Sequence, residues 1–272
     1  MTHELLTKFM MQAPYQPATN YWRAFEIEEV VQYGFPTGRG LDLGCGDGHL
    51  MGIILSTVGA RDLIGLDLDP RETALAHTRK IYRDVVTGPG SQMPFQQSAF
   101  DFVFSNSVLE HIENIDGVLK EVARVLRPGG LFIFTVPGPG FHASLHGPLT
   151  GDRESYLREI DARCAHLRYW DVPQWNQSLG KAGLFLTHSH EYLTESQVRR
   201  WETLARFTSG MLRTLTGGKP RPIEIQRNLG IRSEKIRLPK AVASGFSGLL
   251  RIGSETKARH YGCLLIEARR PE

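Results

Sequence analysis

Three glycines, Gly44, Gly46 and Gly48, alternate with Cys45 and Asp47 between two apolar runs, Leu41-Asp42-Leu43 before them and Leu50, Ile53, Ile54 and Leu55 after. The stretch reads as a buried strand, a tight loop and the first turns of a helix. Glycine is favoured where backbone must take positive φ or where a ligand lies directly on main chain, so this is a binding loop. Its spacing is G-x-G-x-G rather than the G-x-G-x-x-G of a pyrophosphate loop, and Asp42 stands inside the strand end just ahead of it. A second apolar run, Leu63 to Leu66, ends on Asp67 and Leu68, the acid lying 19 residues beyond Gly48. A carboxylate at the carboxyl end of the neighbouring strand is placed to accept two hydroxyls of a ribose. Loop and acid together describe a nucleoside site built from Asp42, Gly44, Cys45, Gly46, Gly48, Asp67 and Leu68, with Cys45 giving its backbone rather than its thiol.

The elements that must position these residues can be read outward from the loop. Residues 1 to 20, with Pro14 and Pro17, read as a loosely structured arm, and Trp22, Phe25, Ile27, Val30 and Val31 mark a helix from Tyr21 to Tyr33. Pro70 is suited to start a helix, and a third strand is expected over Asp84 to Thr87. Phe100 to Phe104 is the next buried strand, and Ser105, Asn106 and Ser107 form its carboxyl end, the edge where ligands sit in open α/β sheets. Val118, Leu119, Val122, Val125 and Leu126 repeat at helical spacing over Ile115 to Leu126. Arg127-Pro128-Gly129-Gly130 stops that helix, and Leu131 to Val136 is a fifth strand. A helix around Trp175 and Leu179, a sixth strand at Gly183 to Leu186 and a last strand from Tyr261 to Ala268 follow. Strands alternating with helices point to a parallel sheet.

Taken in order, LDLGCGDGHL, the acid in IGLDLDP, MPFQQSAFDFVFSNSVLEHI and VLRPGGLFIFTVP resemble the successive motifs of class I S-adenosylmethionine-dependent methyltransferases of the small-molecule type, similar to methyltransferase type 11. The resemblance covers roughly residues 38 to 137 and a terminal strand near 260 to 270. It implies a Rossmann-like, doubly wound α/β sheet of seven strands, mostly parallel with an antiparallel last strand, in a single domain with helical insertions. It also implies S-adenosylmethionine as cofactor and S-adenosylhomocysteine as product. In that family a helix before the first strand often folds over the cofactor, so Tyr21 and Arg23 are candidates for its methionine end, Arg23 as partner of the carboxylate. A solvated arginine on a helix is the alternative. Relatives place an adenine-binding aspartate just before a Leu-Pro-Phe segment. Aligning Met93-Pro94-Phe95 with it puts Pro89 at the aspartate's position, which leaves Ser91 or a backbone carbonyl as the acceptor. Ser105 and Asn106 complete the implied cofactor shell.

Composition narrows the class. Charged residues at 22% and hydrophobic ones at 41% suit a folded globular chain. The net charge of +3 is uneven: residues 193 to 259 carry 14 Lys/Arg against 5 Asp/Glu, and the rest 18 against 24. Cys45, Cys164 and Cys263 are odd in number, with no C-x-x-C pair, which argues against a disulfide framework or zinc site and suits a reducing, cytoplasmic location. MTHELLTKFM has neither the charged nor the apolar region of a leader, and no apolar run reaches the roughly 18 residues of a spanning helix.

Two stretches exceed ordinary connections. Gly138 to Gly180 leaves the sheet at its ligand-facing edge and carries His142, His146, Asp152, Arg153, Tyr156, His166, Tyr169 and Trp170; insertions there commonly set substrate specificity. The basic segment 193–259 holds one apolar stripe over Val198, Trp201, Leu204, Ala205, Met211, Leu212 and Leu215, and a second over Val242, Phe246, Leu249 and Leu250. Such helices either pack on the domain, cap an active site or lie on an anionic membrane surface.

Methyl transfer from a sulfonium needs alignment and dehydration, and a hydroxyl acceptor needs a base, for which neutral histidine is suited. His111, His142 and His146 are the candidates, and His111 has the alternative of orienting its loop. No acidic cluster suggests a metal. The N-P-P-Y-like segment of nucleic-acid amino methyltransferases is absent, so a small-molecule, sugar or lipid-linked acceptor, methylated at oxygen, is expected over nucleic acid. Other readings are a noncatalytic nucleoside-binding adaptor at a membrane or partner surface, and a nicotinamide-dependent oxidoreductase.

Overall fold

In the computed structural model the described residues are 1–210, 237–251 and 258–272. They divide into two compact units: a sheet unit of Val30–Pro139, Leu167–Glu191 and Cys263–Glu272, and a helical unit of Met1–Glu29, Gly140–His166 and Tyr192–Gly262. Both expected insertions contribute most of their described residues to the helical unit.

The sheet has seven strands: β1 (Arg39–Leu43), β2 (Asp62–Asp67), β3 (Asp84–Thr87), β4 (Phe100–Asn106), β5 (Leu126–Pro137), β6 (Phe185–Thr194) and β7 (Tyr261–Arg269), in the order β3-β2-β1-β4-β5-β7-β6. The first five pair in parallel, and β7 runs antiparallel to β5, Leu131 facing Arg269 and Pro137 facing Cys263. The chain winds outward from β1 to β3 and restarts at β4 on the other side, so a switch point lies between β1 and β4. Loops meet there at the strands' carboxyl ends. The inner strands are buried on both faces, which is why they read as nearly unbroken apolar runs.

Helices α3 (His49–Val58), α4 (Pro70–Arg79), α5 (Ile115–Val125) and α8 (Val172–Lys181) belong to the sheet unit. The buried face of α5, Ile115, Val118, Leu119, Val122 and Val125, joins Leu41, Leu43, Val103, Phe132, Phe134 and Trp175 in one core. Its first turn is capped by Asn114, whose side chain accepts the Gly117 N–H. The helix stops at Val125 because β5 already begins at Leu126 and not, as the turn signal suggested, at Leu131. Phe100 pairs with Leu126 and Phe102 with Leu131, so Arg127–Gly130 bulges out of the ladder, with Gly129 at φ 71°. The sixth strand likewise starts later and runs longer than expected, Phe185–Thr194.

The helical unit corrects the reading of residues 1 to 20 as an arm. They form α1 (Thr2–Gln12) and the start of α2 (Pro17–Tyr33), because Leu5, Leu6, Phe9 and Met10 make a buried helical stripe and Pro17 sits at a first helical position, where its missing N–H costs nothing. The unit also holds α6 (Gly140–Ser144), α7 (Arg153–Cys164), α9 (Glu195–Ala205) and α10 (Lys240–Arg251). Trp22, Phe141 and Trp201 meet edge to face, with centroids 5.3–5.5 Å apart. The first stripe of the basic segment is borne out by buried Val198, Trp201 and Ala205, whereas Met211, Leu212 and Leu215 lie outside the described residues. Among the described residues no helix is long and apolar enough to cross a membrane.

Candidate functional site

The glycine loop joins β1 to α3 at the switch point, and all three glycines have positive φ: Gly44 79°, Gly46 53° and Gly48 72°. They need it for different reasons. A Cβ on Gly44 would stand 2.4 and 2.7 Å from the two methyls of Val108, just past the end of β4, so this glycine lets the loop close on its neighbour. A Cβ on Gly46 would meet nothing within 4 Å, which leaves open space above that peptide. Backbone bonds fix the rest: Gly44 and Cys45 N–H donate to Leu66 O at 2.7 and 3.1 Å, and Gly48 N–H to Cys45 O at 3.0 Å.

Asp67, at the tip of β2, faces the loop. One carboxylate oxygen accepts the Gly46 N–H at 2.9 Å and the other accepts the Asp69 N–H at 2.9 Å. Each oxygen has two lone pairs, so one acceptor position on each is left for a vicinal diol, and the side chain is half-buried, within reach of a ligand. Leu68, beside it, is 71% exposed and offers an apolar surface next to the acid. This carboxylate, the open face at Gly46 and the switch-point position together fit a ribose resting on the loop.

Asp42 works from beneath. It is buried, and its carboxyl accepts the Tyr82 hydroxyl at 2.6 Å. Burial pushes the Asp42 carboxyl up to about 7, against the pull of the Tyr82 hydroxyl and with a further push from Asp67. Burial, then Asp42, also raises Tyr82, which remains a phenol donor. The Cys45 thiol is held above its ordinary range by burial and then by Asp42 and Asp67, so it is a neutral packing group beside Ala76 and Val85. Arg79 completes the underside, its Nε donating to Asp47 O at 2.5 Å. Tyr82, Arg79 and Val108 carry no local signal in the sequence: each reaches the loop from a distant part of the chain.

Met93, Ser105 and Arg23, also expected at the site, have structural partners. Met93 is buried in the core, its N–H spent on Glu121 at 2.7 Å and its carbonyl on Arg124 at 2.9 Å, so it pins the segment after β3 to α5 and offers a ligand no free main-chain donor. Ser91 is half-buried on the same segment, behind the Pro89 turn in which Gln92 N–H returns to Pro89 O. Ser105 is fully buried and donates to Leu43 O at 3.0 Å, tying β4 to β1 instead of facing a ligand. Asn106, beside it at the strand end, is 7% exposed. Arg23 belongs to the helical unit and is ion-paired with buried Glu26, which also accepts from Tyr192 at 3.1 Å. A ligand carboxylate would have to compete with Glu26 for it.

The histidines separate by their surroundings. His111 ends a short 3-10 turn, Leu109–His111, that Arg168 braces by donating to the carbonyls of Leu109 and Ile112. His146 is held by Glu202 through its N–H at 2.7 Å and its Nδ1 at 3.2 Å. Glu202, buried, also accepts from Gly147, Tyr156 and Arg206, so His146 sits on a structural hub linking α7, α9 and the loop between α6 and α7. His142, on α6, has Asp161 of α7 at 2.8 Å from its Nε2. A carboxylate at that distance orients the imidazole, the base-and-orienter relation of acid–base catalysis. Asp161 was not read from the sequence; the 19-residue separation gives no periodic cue.

Residues 41–134 match the family model described as "Methyltransferase domain". The chain is 30% identical over 119 residues to a malonyl-[acyl-carrier protein] O-methyltransferase of Methylococcus capsulatus, covering 43% of each chain. It is 36% identical over 124 residues to a "probable S-adenosylmethionine-dependent methyltransferase" of Mycolicibacterium smegmatis, covering 43% of this chain and 46% of the other. The match thus spans less than half the length of these relatives. Among solved structures, phosphoethanolamine N-methyltransferase 2 of Haemonchus contortus, in complex with S-adenosyl-L-methionine, superposes with a TM-score of 0.56 at 20% identity, covering 98% of this chain and 60% of that one. At that identity the likeness concerns the fold.

Proposed function

We propose, from the match of residues 41–134 to the methyltransferase family model, that the chain is a class I S-adenosylmethionine-dependent methyltransferase and transfers a methyl group to an oxygen of a small-molecule, sugar or lipid-linked acceptor. The observation that carries the reading is Asp67, which spends one acceptor position of one oxygen on Gly46 of the glycine loop and one of the other on the Asp69 N–H, and keeps the remaining pair for a diol. S-adenosylmethionine supplies a methyl group on a sulfonium, which an aligned nucleophile takes by in-line displacement. Gly44, Gly46 and Gly48 give the main-chain surface, Asp67 takes the ribose hydroxyls, and Leu68 and Ser91 flank the base; with Pro89 where relatives carry an acid, the adenine amino group is left to Ser91 or a carbonyl.

A hydroxyl becomes an effective nucleophile as its proton leaves. His142 is the base we propose, because it has a carboxylate at 2.8 Å and stands five residues beyond Pro137, the end of β5. His146 is committed to the Glu202 hub, and His111 to the braced turn. Cys45, Cys164 and Cys263 are thiols, which suits the reducing cytoplasm.

Isothermal titration with S-adenosylmethionine and S-adenosylhomocysteine tests the cofactor half. Both should bind, and Asp67→Ala should weaken them at least roughly a hundredfold, since two hydroxyls lose a charged partner. Absence of heat with either nucleoside at high micromolar concentration, or retention unchanged in Asp67→Ala, overturns it. Transfer of labelled methyl to panels of hydroxylated small molecules, sugars and lipid-linked sugars tests the acceptor half, and labelling confined to amines overturns it.

A further inference from the structure

Helix α10 is built inside out. A helix on a folded protein turns its large apolar side chains toward the core and its small or polar ones to water. In α10 the fully buried residues are Ala243 and Ser247, Leu250 is half-buried, and three large ones are exposed: Val242 at 56%, Phe246 at 44% and Leu249 at 68%. The small face lies against α1, where Ser244 Oγ meets His3 Nε2 at 3.1 Å and Leu238 N–H reaches Met11 O at 3.0 Å. Ser247 satisfies its own hydroxyl on Ala243 O at 2.7 Å. The docking is therefore settled by small residues that allow close approach, and the spacing 242, 246, 249 leaves one continuous apolar stripe pointing away from it. The residue pattern alone leaves open whether this stripe packs or faces lipid; the burial decides which face packs.

Between Glu234 and Glu255 the sequence carries four cations, Lys235, Arg237, Lys240 and Arg251, and no acid. Arg237 and Lys240, leading into the helix, are exposed. An apolar stripe led into by exposed cations matches the layering of an anionic bilayer, hydrocarbon beneath phosphate. We propose that α10 lies in the plane of an anionic lipid surface, with Val242, Phe246 and Leu249 inserted below the headgroups and Arg237 and Lys240 on the phosphates. This would bring the chain to lipid-borne molecules.

Co-sedimentation of the full chain with sucrose-loaded vesicles tests it, using phosphatidylcholine alone and an equimolar mixture with phosphatidylserine. The wild type should pellet with the anionic vesicles, stay in solution with the neutral ones and be released by high salt. Val242→Ser/Phe246→Ser/Leu249→Ser should bind at least tenfold more weakly while keeping the wild-type melting temperature, since all three side chains are exposed. A Phe246→Trp chain should show an emission blue shift with the anionic vesicles. The proposal is overturned if the wild type remains in solution with both vesicles, if the triple variant binds as the wild type does, or if the emission of the Phe246→Trp chain does not move. Light scattering that finds a wild-type dimer made monomeric by the triple substitution, without vesicle binding, would assign the stripe to a second copy of the chain and overturn the lipid assignment.

Discussion

Replacing Asp42 by asparagine should remove a pH dependence of stability that one buried carboxyl imposes. In the folded chain the group titrates at about 7, against 3.8 for an exposed aspartate, because burial disfavours its charged form. Between those values the folded state holds a proton that the unfolded chain has released. The stabilisation is complete below pH 3.8 and is lost as pH rises through about 7. From pH 5 to pH 8 the loss amounts to the two units between 5 and the folded value at about 1.36 kcal/mol each, roughly 2.7 kcal/mol. The asparagine keeps an acceptor for Tyr82 and carries no titrating proton. Urea unfolding of both chains across that range, followed by tryptophan fluorescence, should show the wild type weakening relative to Asp42→Asn by about that amount. Tyr82→Phe removes the 2.6 Å donor that favours the carboxylate and should extend the loss to higher pH. A wild type and an Asp42→Asn chain that keep a constant difference from pH 5 to pH 8, or diverge in the opposite sense, would refute the assignment of a proton to Asp42.

Gly44→Ala meets two obstacles, positive φ at about 1–2 kcal/mol and the Val108 methyls at about 1–3 kcal/mol. The double variant with Val108→Ala should recover only the second part, measured by thermal unfolding and by S-adenosylhomocysteine titration; full recovery would show that the backbone conformation is not needed. Once an acceptor is found, His142→Ala should lower kcat by about 10²–10⁴, and Asp161→Asn should lower it less. An unchanged rate in both would assign the pair a structural role.

What the sequence by itself determined is what neighbours along the chain decide. The strand, glycine loop and helix at 41 to 55, the acid ending β2 and the β3 boundaries follow from local periodicity and from glycine's access to positive φ, so the loop, the acid facing it and the parallel sheet are readable from the sequence. The Leu5, Leu6, Phe9 and Met10 stripe is equally local, but Pro14 and Pro17 beside it read as breakers, although Pro17 only opens a helix. The fold alone decided the rest. Val108 against Gly44, Tyr82 on Asp42, Asp161 on His142 and Glu202 at the centre of its hub pair residues separated by 19 to 64 positions, and periodicity encodes which face is apolar but not which distant side chain meets it. Helix α10 is the sharpest case. Its sequence shows an apolar stripe, yet its small face packs, because close approach to α1 is a property of two surfaces and neither stretch of sequence contains both.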